Sequence, residues 1–173
     1  FIKVDVRNSG EVESLIQGVV DTYGRLDHAF NNAGVAAGGP IHELEEDTWD
    51  RVLDINLKGV WLSMKYEVRQ MLEQGFGTIV NNASMLGLAG SAGAAPYAAS
   101  KHGVVGLSKC GAMAYGSRGI RVNSICVGLV ETDMTHGMIE GIKERDAVAS
   151  VNPMERIGEP EEVAEAVVWL SSD

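Results

Sequence analysis

Short apolar runs alternate along this chain with longer segments in which apolar residues recur at helical spacing. The runs have strand length and read FIKVDV, RLDHAF, GTIVNNA and IRVNSICV. In the segments between them, apolar positions three and four residues apart predict amphipathic helices. Strands that alternate with helices form parallel sheets covered on both faces, with right-handed crossovers. The pattern therefore predicts one α/β domain built on a doubly wound parallel sheet.

The helical spacing predicts four helices. In the first, Asn8 or Ser9 stands where a side chain would cap the first amides. Its apolar stripe consists of Val12, Leu15, Ile16, Val19, Val20 and Tyr23. The second helix is expected over about residues 46–73 and the third over about residues 96–116. The fourth begins near Pro160, after the capping-like sequence GEPEE. The side chains that it directs inward are Val163, Ala166, Val167 and Leu170.

Composition and charge narrow the class of partner. Of the 173 residues, 45% are apolar and 22% are charged, which is the balance of an ordinary soluble domain. The apolar runs are too short to span a membrane and no signal peptide precedes them, so a cytoplasmic location is expected. The formal net charge of −10, without a cluster of Lys and Arg, disfavours nucleic acid and anionic membranes as partners. A small molecule is the expected ligand.

The cysteines and histidines show no spacing typical of a metal site. Cys110 and Cys126 are too far apart for a C-x-x-C motif and lie in apolar surroundings that favour reduced, packed thiols. The histidines show no ligand pattern such as H-E-x-x-H. We therefore expect no metal centre.

Small and hydrogen-bonding residues follow each predicted strand. They are residues 5–6, 31–34, 83–84 and 127–128, with Thr132 shortly after the last. Because ligands of open parallel sheets bind beyond the carboxyl ends of the strands, these residues are candidates for a binding site. Taken singly, each motif can be explained as ordinary turn chemistry, since Asn, Gly, Ser and Asp are common where strands end. Their occurrence after all four strands favours a site.

Tyr97 and Lys101 stand four residues apart at the start of the third predicted helix. This spacing places the phenol and the ammonium on one helical face. A free phenol has a pKa of about 10, too high for proton transfer at neutral pH, and a neighbouring ammonium favours the phenolate. The pair is suited to acid–base chemistry, although a surface pair with this spacing does little by itself.

Five motifs occur together in an order that resembles the short-chain dehydrogenase/reductase family. They are NNAG at residues 31–34, NLKG at residues 56–59, Ser84, YAASK at residues 97–101 and RVNSICVG at residues 121–128. The serine precedes the tyrosine at the family's usual distance. The resemblance covers residues 5–173, and the ordered set is far more specific than Y-x-x-x-K alone.

The resemblance implies four catalytic residues. Tyr97 would be the general acid or base, and Lys101 would favour its phenolate and bind the nicotinamide ribose. Ser84 would donate a hydrogen bond to the substrate oxygen. Asn56 would anchor a water that relays protons between Lys101 and solvent. The alternative for Asn56 is a polar residue that bends its helix and is satisfied by backbone groups.

The resemblance also implies NAD or NADP as the cofactor. Asp5 would accept a hydrogen bond from the adenine amine, and Val6 would pack near the ring. The full set of implied cofactor contacts is Asp5, Val6, Asn32, Ala33, Gly34, Tyr97, Lys101, Gly128, Val130 and Thr132. The residues that distinguish NAD from NADP follow the family's second strand, which would lie upstream of Phe1.

Relative to the family pattern, we expect residues 1–173 to form a single Rossmann-like domain that is truncated at both ends. The glycine-rich turn that grips the pyrophosphate would lie upstream of Phe1, with the first two strand–helix units, and the last strand would lie beyond Asp173. Val127 stands where the family usually has proline, a change expected to have a modest effect.

The implied activity is hydride transfer between NAD(P) and a secondary alcohol or ketone. Two alternatives are a cofactor-binding scaffold without turnover and an inactive fragment of such an enzyme. The substrate would contact residues 87–95 and a lid over residues 132–159. The lid contains Met134, Met138 and Ile139, for which ordinary packing is an equal alternative. Both segments are rich in small and apolar residues and favour an uncharged substrate. The second and third helices carry more apolar surface than one sheet face can bury, and with the resemblance they predict a homotetramer.

Overall fold

A three-stranded parallel sheet forms the centre of the fold, in a computed structural model that describes residues 1–136 and 152–172. Its strands, in spatial order, are β1 (His28–Asn31), β2 (Gly77–Asn82) and β3 (Ile120–Ile125). Asn31 pairs with Asn81 and Asn82 pairs with Ile125. The carboxyl ends of the three strands therefore lie at one edge of the sheet.

Within the described residues, five α-helices accompany the sheet. They are α1 (Ser9–Tyr23), α2 (Glu46–Leu53), α3 (Gly59–Gln74), α4 (Ala95–Tyr115) and α5 (Pro160–Ser171). A π-helical turn (Asp54–Lys58) joins α2 to α3, so the second predicted helix is interrupted near its middle by a widened turn. Such turns often mark functional sites.

The helices lie on both faces of the sheet, as the sequence predicts. Ile79, Ile120 and Val122 pack with buried apolar residues of α3 and α4. Arg121 alternates with its neighbours along β3 and therefore points to the opposite face. There it donates hydrogen bonds of 2.9 and 2.7 Å to carbonyls at the end of α5. The α/β, doubly wound, Rossmann-like fold class is confirmed.

Local capping signals determine where helices begin. Asn8 caps α1, because its side-chain oxygen accepts hydrogen bonds from two amides of the first turn. Gly24 ends this helix in the left-handed conformation, with φ of 81°, which glycine adopts without strain. At α5, Glu159 and Glu162 form a reciprocal capping box ahead of an apolar face. The GEPEE signal is confirmed.

Three predictions about apolar positions are wrong. Residues 1–6 form no strand, because no neighbouring strand in the described part of the chain pairs with their backbone; Val6 instead packs on Gly59. Tyr23 is 76% exposed, since it lies in the last turn of α1, beyond the packing of residues 12–19 on α3. Ala166 is exposed, and the inward side of α5 is made by half-buried Val163, Val167 and Leu170.

Candidate active site

The ends of the strands and the first turns of α4 meet at one edge of the sheet. β1 leads into residues 32–35, β2 into Ser84 and β3 into residues 126–130. The amide of Met85 donates to the carbonyl of Val127 at 2.8 Å, so the segments after β2 and β3 are tied together. Tyr97 and Lys101 on α4 face this edge, because the ammonium of Lys101 bonds to the last residue of β2.

Lys101 is a buried cation with a fixed position. It is 4% exposed, and its Nζ donates to the carbonyl oxygen of Asn82 at 2.7 Å. Burial lowers the pKa of Lys101 to about 8. The ammonium therefore predominates at neutral pH and is lost as the pH rises above 8. An ammonium has three protons, so two remain for other acceptors.

Tyr97 is half-buried beside this cation. The Nζ of Lys101 lies 5.6 Å from the centre of the Tyr97 ring. The carbonyl oxygen of Tyr97 accepts a hydrogen bond of 2.7 Å from Ser100, inside the helix. The structure thus brings phenol and ammonium together with the geometry that the four-residue spacing predicts.

Ser84 lies directly after β2 and is 8% exposed. Its Oγ accepts a hydrogen bond from the amide of Leu86 at 3.2 Å, and its own hydroxyl proton stays available for donation. The turn that follows packs tightly on α4. A Cβ at Gly87 would come within 2.9 Å of the Lys101 carbonyl oxygen, so only glycine allows this approach.

Asn56 is fully buried in the π-helical turn and links three segments. Its Oδ1 accepts from the amide of Val35 at 2.8 Å, and its Nδ2 donates to the carbonyl of Val35 at 2.9 Å and to Ser100 at 3.2 Å. The side-chain amide is bonded to protein groups, as in the alternative interpretation of this residue. It ties the loop after β1 to α4, and the water relay stays a prediction.

The loop after β1 lies against the same centre. A Cβ at Gly34 would lie 3.3 Å from Asn56 Oδ1 and 3.8 Å from Lys101 Nζ. Asn32 and Ala33 are exposed. Their backbone is accessible to a ligand lying along this edge of the sheet.

Asn82 is a site residue that sequence reasoning missed. Its backbone carbonyl holds Lys101, and its Nδ2 donates to Asn32 Oδ1 at 2.6 Å. Its Oδ1 is buried and has no hydrogen-bond partner among the described residues. No sequence motif identifies this role, because it depends on a backbone carbonyl and on the pairing of β1 with β2.

Asp5 and Val6 lie at the outer end of this edge. The carboxylate of Asp5 bonds to the guanidinium of Arg7 at 2.6 Å, and these hydrogen bonds lower the pKa of Asp5 to about 2. Val6 lines one cavity with Asn32 and Ala33. The structure therefore brings Val6 to the loop after β1, while Asp5 is already paired with a cation.

Of the predicted contacts after β3, Gly128 and Thr132 are exposed and Val130 is half-buried. Gly128 is open, and no atom lies within 4 Å of the position its Cβ would take. Val130 forms a β-bridge with Gly158, and Thr132 hydrogen-bonds through its hydroxyl to Thr135 at 3.0 Å. No hydrogen bond among the described residues joins these three residues to Tyr97 or Lys101. The predicted lid residues Met138 and Ile139 lie outside the described residues.

The described residues also bear on membrane-spanning helices and on metal sites. No helix in residues 1–136 and 152–172 is long and apolar enough to cross a membrane. In the same ranges, no three side chains of the His, Cys, Asp and Glu types are grouped so that they could hold a metal ion.

Comparisons with known proteins find relatives along the whole chain. A family profile described as enoyl-(acyl carrier protein) reductase matches residues 1–173. The chain is 39% identical over 170 residues to 3-oxoacyl-(acyl-carrier-protein) reductase FabG of Thermotoga maritima, covering 98% of this chain and 68% of that protein. It is 40% identical over 174 residues to cyclohexanol dehydrogenase of Acinetobacter sp., covering 99% of this chain and 66% of that protein. A crystal structure of an actinorhodin polyketide ketoreductase variant with NADPH matches with a TM-score of 0.91 at 40% identity, covering 97% of this chain and 69% of that one.

Proposed function

Because the chain belongs to the short-chain dehydrogenase/reductase family, we propose that Tyr97 is the general acid or base of its reaction. The family acts on CH–OH groups with NAD(P), and the chain is an oxidoreductase of this class. One observation carries the assignment of Tyr97. The buried ammonium of Lys101 is held by Asn82 at 2.7 Å and lies 5.6 Å from the centre of the Tyr97 ring.

The residues at the strand ends fit a nicotinamide cofactor. The buried Oδ1 of Asn82 lacks a donor among the described residues, and a ribose hydroxyl would supply one. Lys101 has two further protons for the same sugar. Asn32, Ala33 and Gly128 are exposed, which allows a ligand to approach them closely. Bound there, the cofactor supplies the hydride, while the chain supplies orientation and proton transfer.

The outer contacts of the cofactor follow from the same edge. Asp5 is ionised near neutral pH, and hydrogen bonds from Arg7 lower its pKa to about 2. Its carboxylate would accept from the adenine amine in addition to Arg7. Val6 would pack on the ring from the cavity that it shares with Asn32. Gly128, Val130 and Thr132 would face the nicotinamide carboxamide through backbone and hydroxyl groups.

Proton transfer belongs to the chain's own side chains. In the reducing direction, the Tyr97 hydroxyl donates its proton to the carbonyl oxygen of the substrate. Ser84 donates a hydrogen bond to the same oxygen and orients it. Lys101 favours the phenolate that remains, because its positive charge lies beside the ring. Asn56 holds the loop after β1 against α4, and we retain its water relay as part of the proposal.

We propose an uncharged, moderately hydrophobic ketone or secondary alcohol as the substrate. Residues 85–96, which follow Ser84, contain no charged side chain. The full-length protein is to be assayed with NADH and NADPH against a cyclic ketone and a keto acid of similar size. We expect kcat/KM for the cyclic ketone to be at least about tenfold higher, because the keto acid would lose the hydration of its carboxylate without gaining a cation. A preference for the acid would refute the proposed substrate class.

A homotetramer is the proposed assembly. Trp61 is 48% exposed on α3 and Met113 is 89% exposed on α4. An open groove between these helices is lined by Leu57, Trp61 and Leu107. A second copy of the chain would cover this apolar surface.

Sedimentation velocity of the full-length protein tests the assembly. We expect a tetramer for the unsubstituted protein and smaller species for Trp61→Glu, because a carboxylate would be buried in the apolar contact. Tyr23→Glu, at the exposed end of α1 and outside both predicted contact helices, is the control and should remain tetrameric. A monomeric unsubstituted protein would rule out the proposed assembly.

A further inference from the structure

A buried chain of polar side chains crosses the fold beneath the candidate active site. The Nδ2 of Asn31 donates to Glu67 Oε2 at 3.0 Å and to Asn81 Oδ1 at 2.9 Å. The Nδ2 of Asn81 in turn donates to Ser108 Oγ at 2.9 Å. The Ser108 hydroxyl donates to a backbone carbonyl of its own helix at 2.7 Å. One network therefore joins α3, β1, β2 and α4.

On both strands, the asparagine of this network directly precedes a residue of the candidate active site. Asn31 and Asn81 are register partners at the carboxyl ends of β1 and β2. The next residues, Asn32 and Asn82, bond to each other on the opposite face of the sheet at 2.6 Å. Asn82 also holds Lys101. Asn31 and Asn81 are therefore the chain neighbours of Asn32 and Asn82, and Asn82 holds the ammonium of Lys101.

Glu67 is the ionisable end of the network. It is 4% exposed, and burial raises its pKa to about 7 although the hydrogen bond from Asn31 opposes the shift. It borders a cavity of about 270 Å³. Among the described residues that line it, His28 of β1 is the only other titratable one, and its ring is hydrogen-bonded to Thr78. The lining residues of α1, of the π-helical turn and of α3 itself are otherwise uncharged. Among the described residues that line this cavity, no Lys or Arg compensates an ionised Glu67.

We propose that Glu67 is a positioning residue, which acts through Asn31 and Asn81 to hold the ends of β1 and β2 in the arrangement that binds the cofactor and Lys101. Both hydrogens of the Asn31 amide are in use, one on α3 and one on β2. Removing the acceptor on α3 leaves a buried donor unpaired and frees the asparagine to turn. The expected effect of Glu67 on cofactor binding rests on the proposed function. The effect of Glu67 on the ends of β1 and β2, which we call the coupling, can be measured without cofactor.

Backbone amide NMR of the full-length protein during a pH titration tests the coupling. We expect the signals of Gly34 and Asn82 to shift with a midpoint near 7, the pKa of Glu67, in the unsubstituted protein. The shift should vanish in Glu67→Gln, which keeps an acceptor but cannot ionise. It should persist in Glu73→Gln, an exposed position on the same helix. The proposal would be overturned if the amide chemical shifts of Gly34 and Asn82 in the unsubstituted protein did not change with pH. It would also be overturned if Glu67→Gln showed the same titration as the unsubstituted protein.

Cofactor binding gives the second readout. Titration of nicotinamide fluorescence at pH 6 should show about tenfold weaker binding for Glu67→Leu, which lacks the acceptor. Glu67→Gln should recover most of this loss. Equal affinity of the leucine variant and the unsubstituted protein would overturn the proposal, and so would a glutamine variant as weak as the leucine variant. If the unsubstituted protein bound no cofactor, the proposed function would fail, and the amide titration would still decide the role of Glu67.

Discussion

We expect Tyr97→Phe to lower kcat by about a thousandfold, because the variant lacks the hydroxyl that exchanges a proton with the substrate oxygen. The substitution removes one oxygen atom and keeps the ring beside Lys101, so packing and cofactor affinity should change little. Steady-state kinetics and fluorescence titration on the full-length protein would measure the two effects separately. Thermal unfolding should show the same Tm within a few degrees.

Tyr23→Phe provides the matched control for this loss. Tyr23 is 76% exposed at the end of α1 and belongs to none of the site segments. The same atom is removed, and turnover should remain at the level of the unsubstituted protein. Activity of Tyr97→Phe within tenfold of that level would show that another group transfers the proton.

Replacing Lys101 by methionine should impair both turnover and cofactor binding. The ammonium contributes to proton transfer through the phenolate and to binding through its remaining protons, so we expect about a hundredfold loss in kcat and about a tenfold rise in the cofactor Kd. Stability should change little. Loss of the charge-assisted bond to Asn82 costs about 1.5–3 kcal/mol, and relief of the buried charge offsets a similar amount.

The pH profile separates this role from a structural one. The pKa of Lys101 is about 8, lowered by burial from 10.5, so the protein has the ammonium below pH 8 and loses it above. Activity that depends on the cation should therefore fall as the pH rises through 8. The methionine variant should lack this decline, while Lys109→Met, on the exposed side of the same helix, should retain it. An alkaline decline that persists in Lys101→Met would exclude Lys101 as its cause.

Residues whose role depends on local spacing were predictable from the sequence. The i, i+4 relation of Tyr97 and Lys101 fixes their common face in any helix. Asn8 and the Glu159–Glu162 pair cap their helices through contacts that span only a few residues. Strand-length apolar runs that alternate with segments of helical spacing likewise predicted the parallel sheet. The position of the site at the strand ends followed from the sheet.

Residues whose role depends on tertiary contacts were harder to predict. Asn82 acts through a backbone carbonyl and an unpaired side-chain oxygen, which no motif reveals. Glu67 did leave a signal, since a carboxylate at this position interrupts the buried stripe of Val60, Met64 and Met71 on α3. Residues 1–6 were predicted as a strand and form none. Their apolar alternation suits a strand, but a strand also requires a paired neighbour.

Transfer of deuterium from the cofactor to the substrate tests whether the protein reduces a ketone with Tyr97 as the proton donor. The full-length protein would be incubated with an uncharged cyclic ketone and reduced nicotinamide cofactor that carries two deuterium atoms at C4, so that transfer from either face delivers deuterium. The alcohol product would be analysed by mass spectrometry. We expect one deuterium on the carbinol carbon with the unsubstituted protein, and transfer about a thousandfold slower with Tyr97→Phe. An alcohol that carries no deuterium, or equal transfer rates for the two proteins, would contradict this expectation.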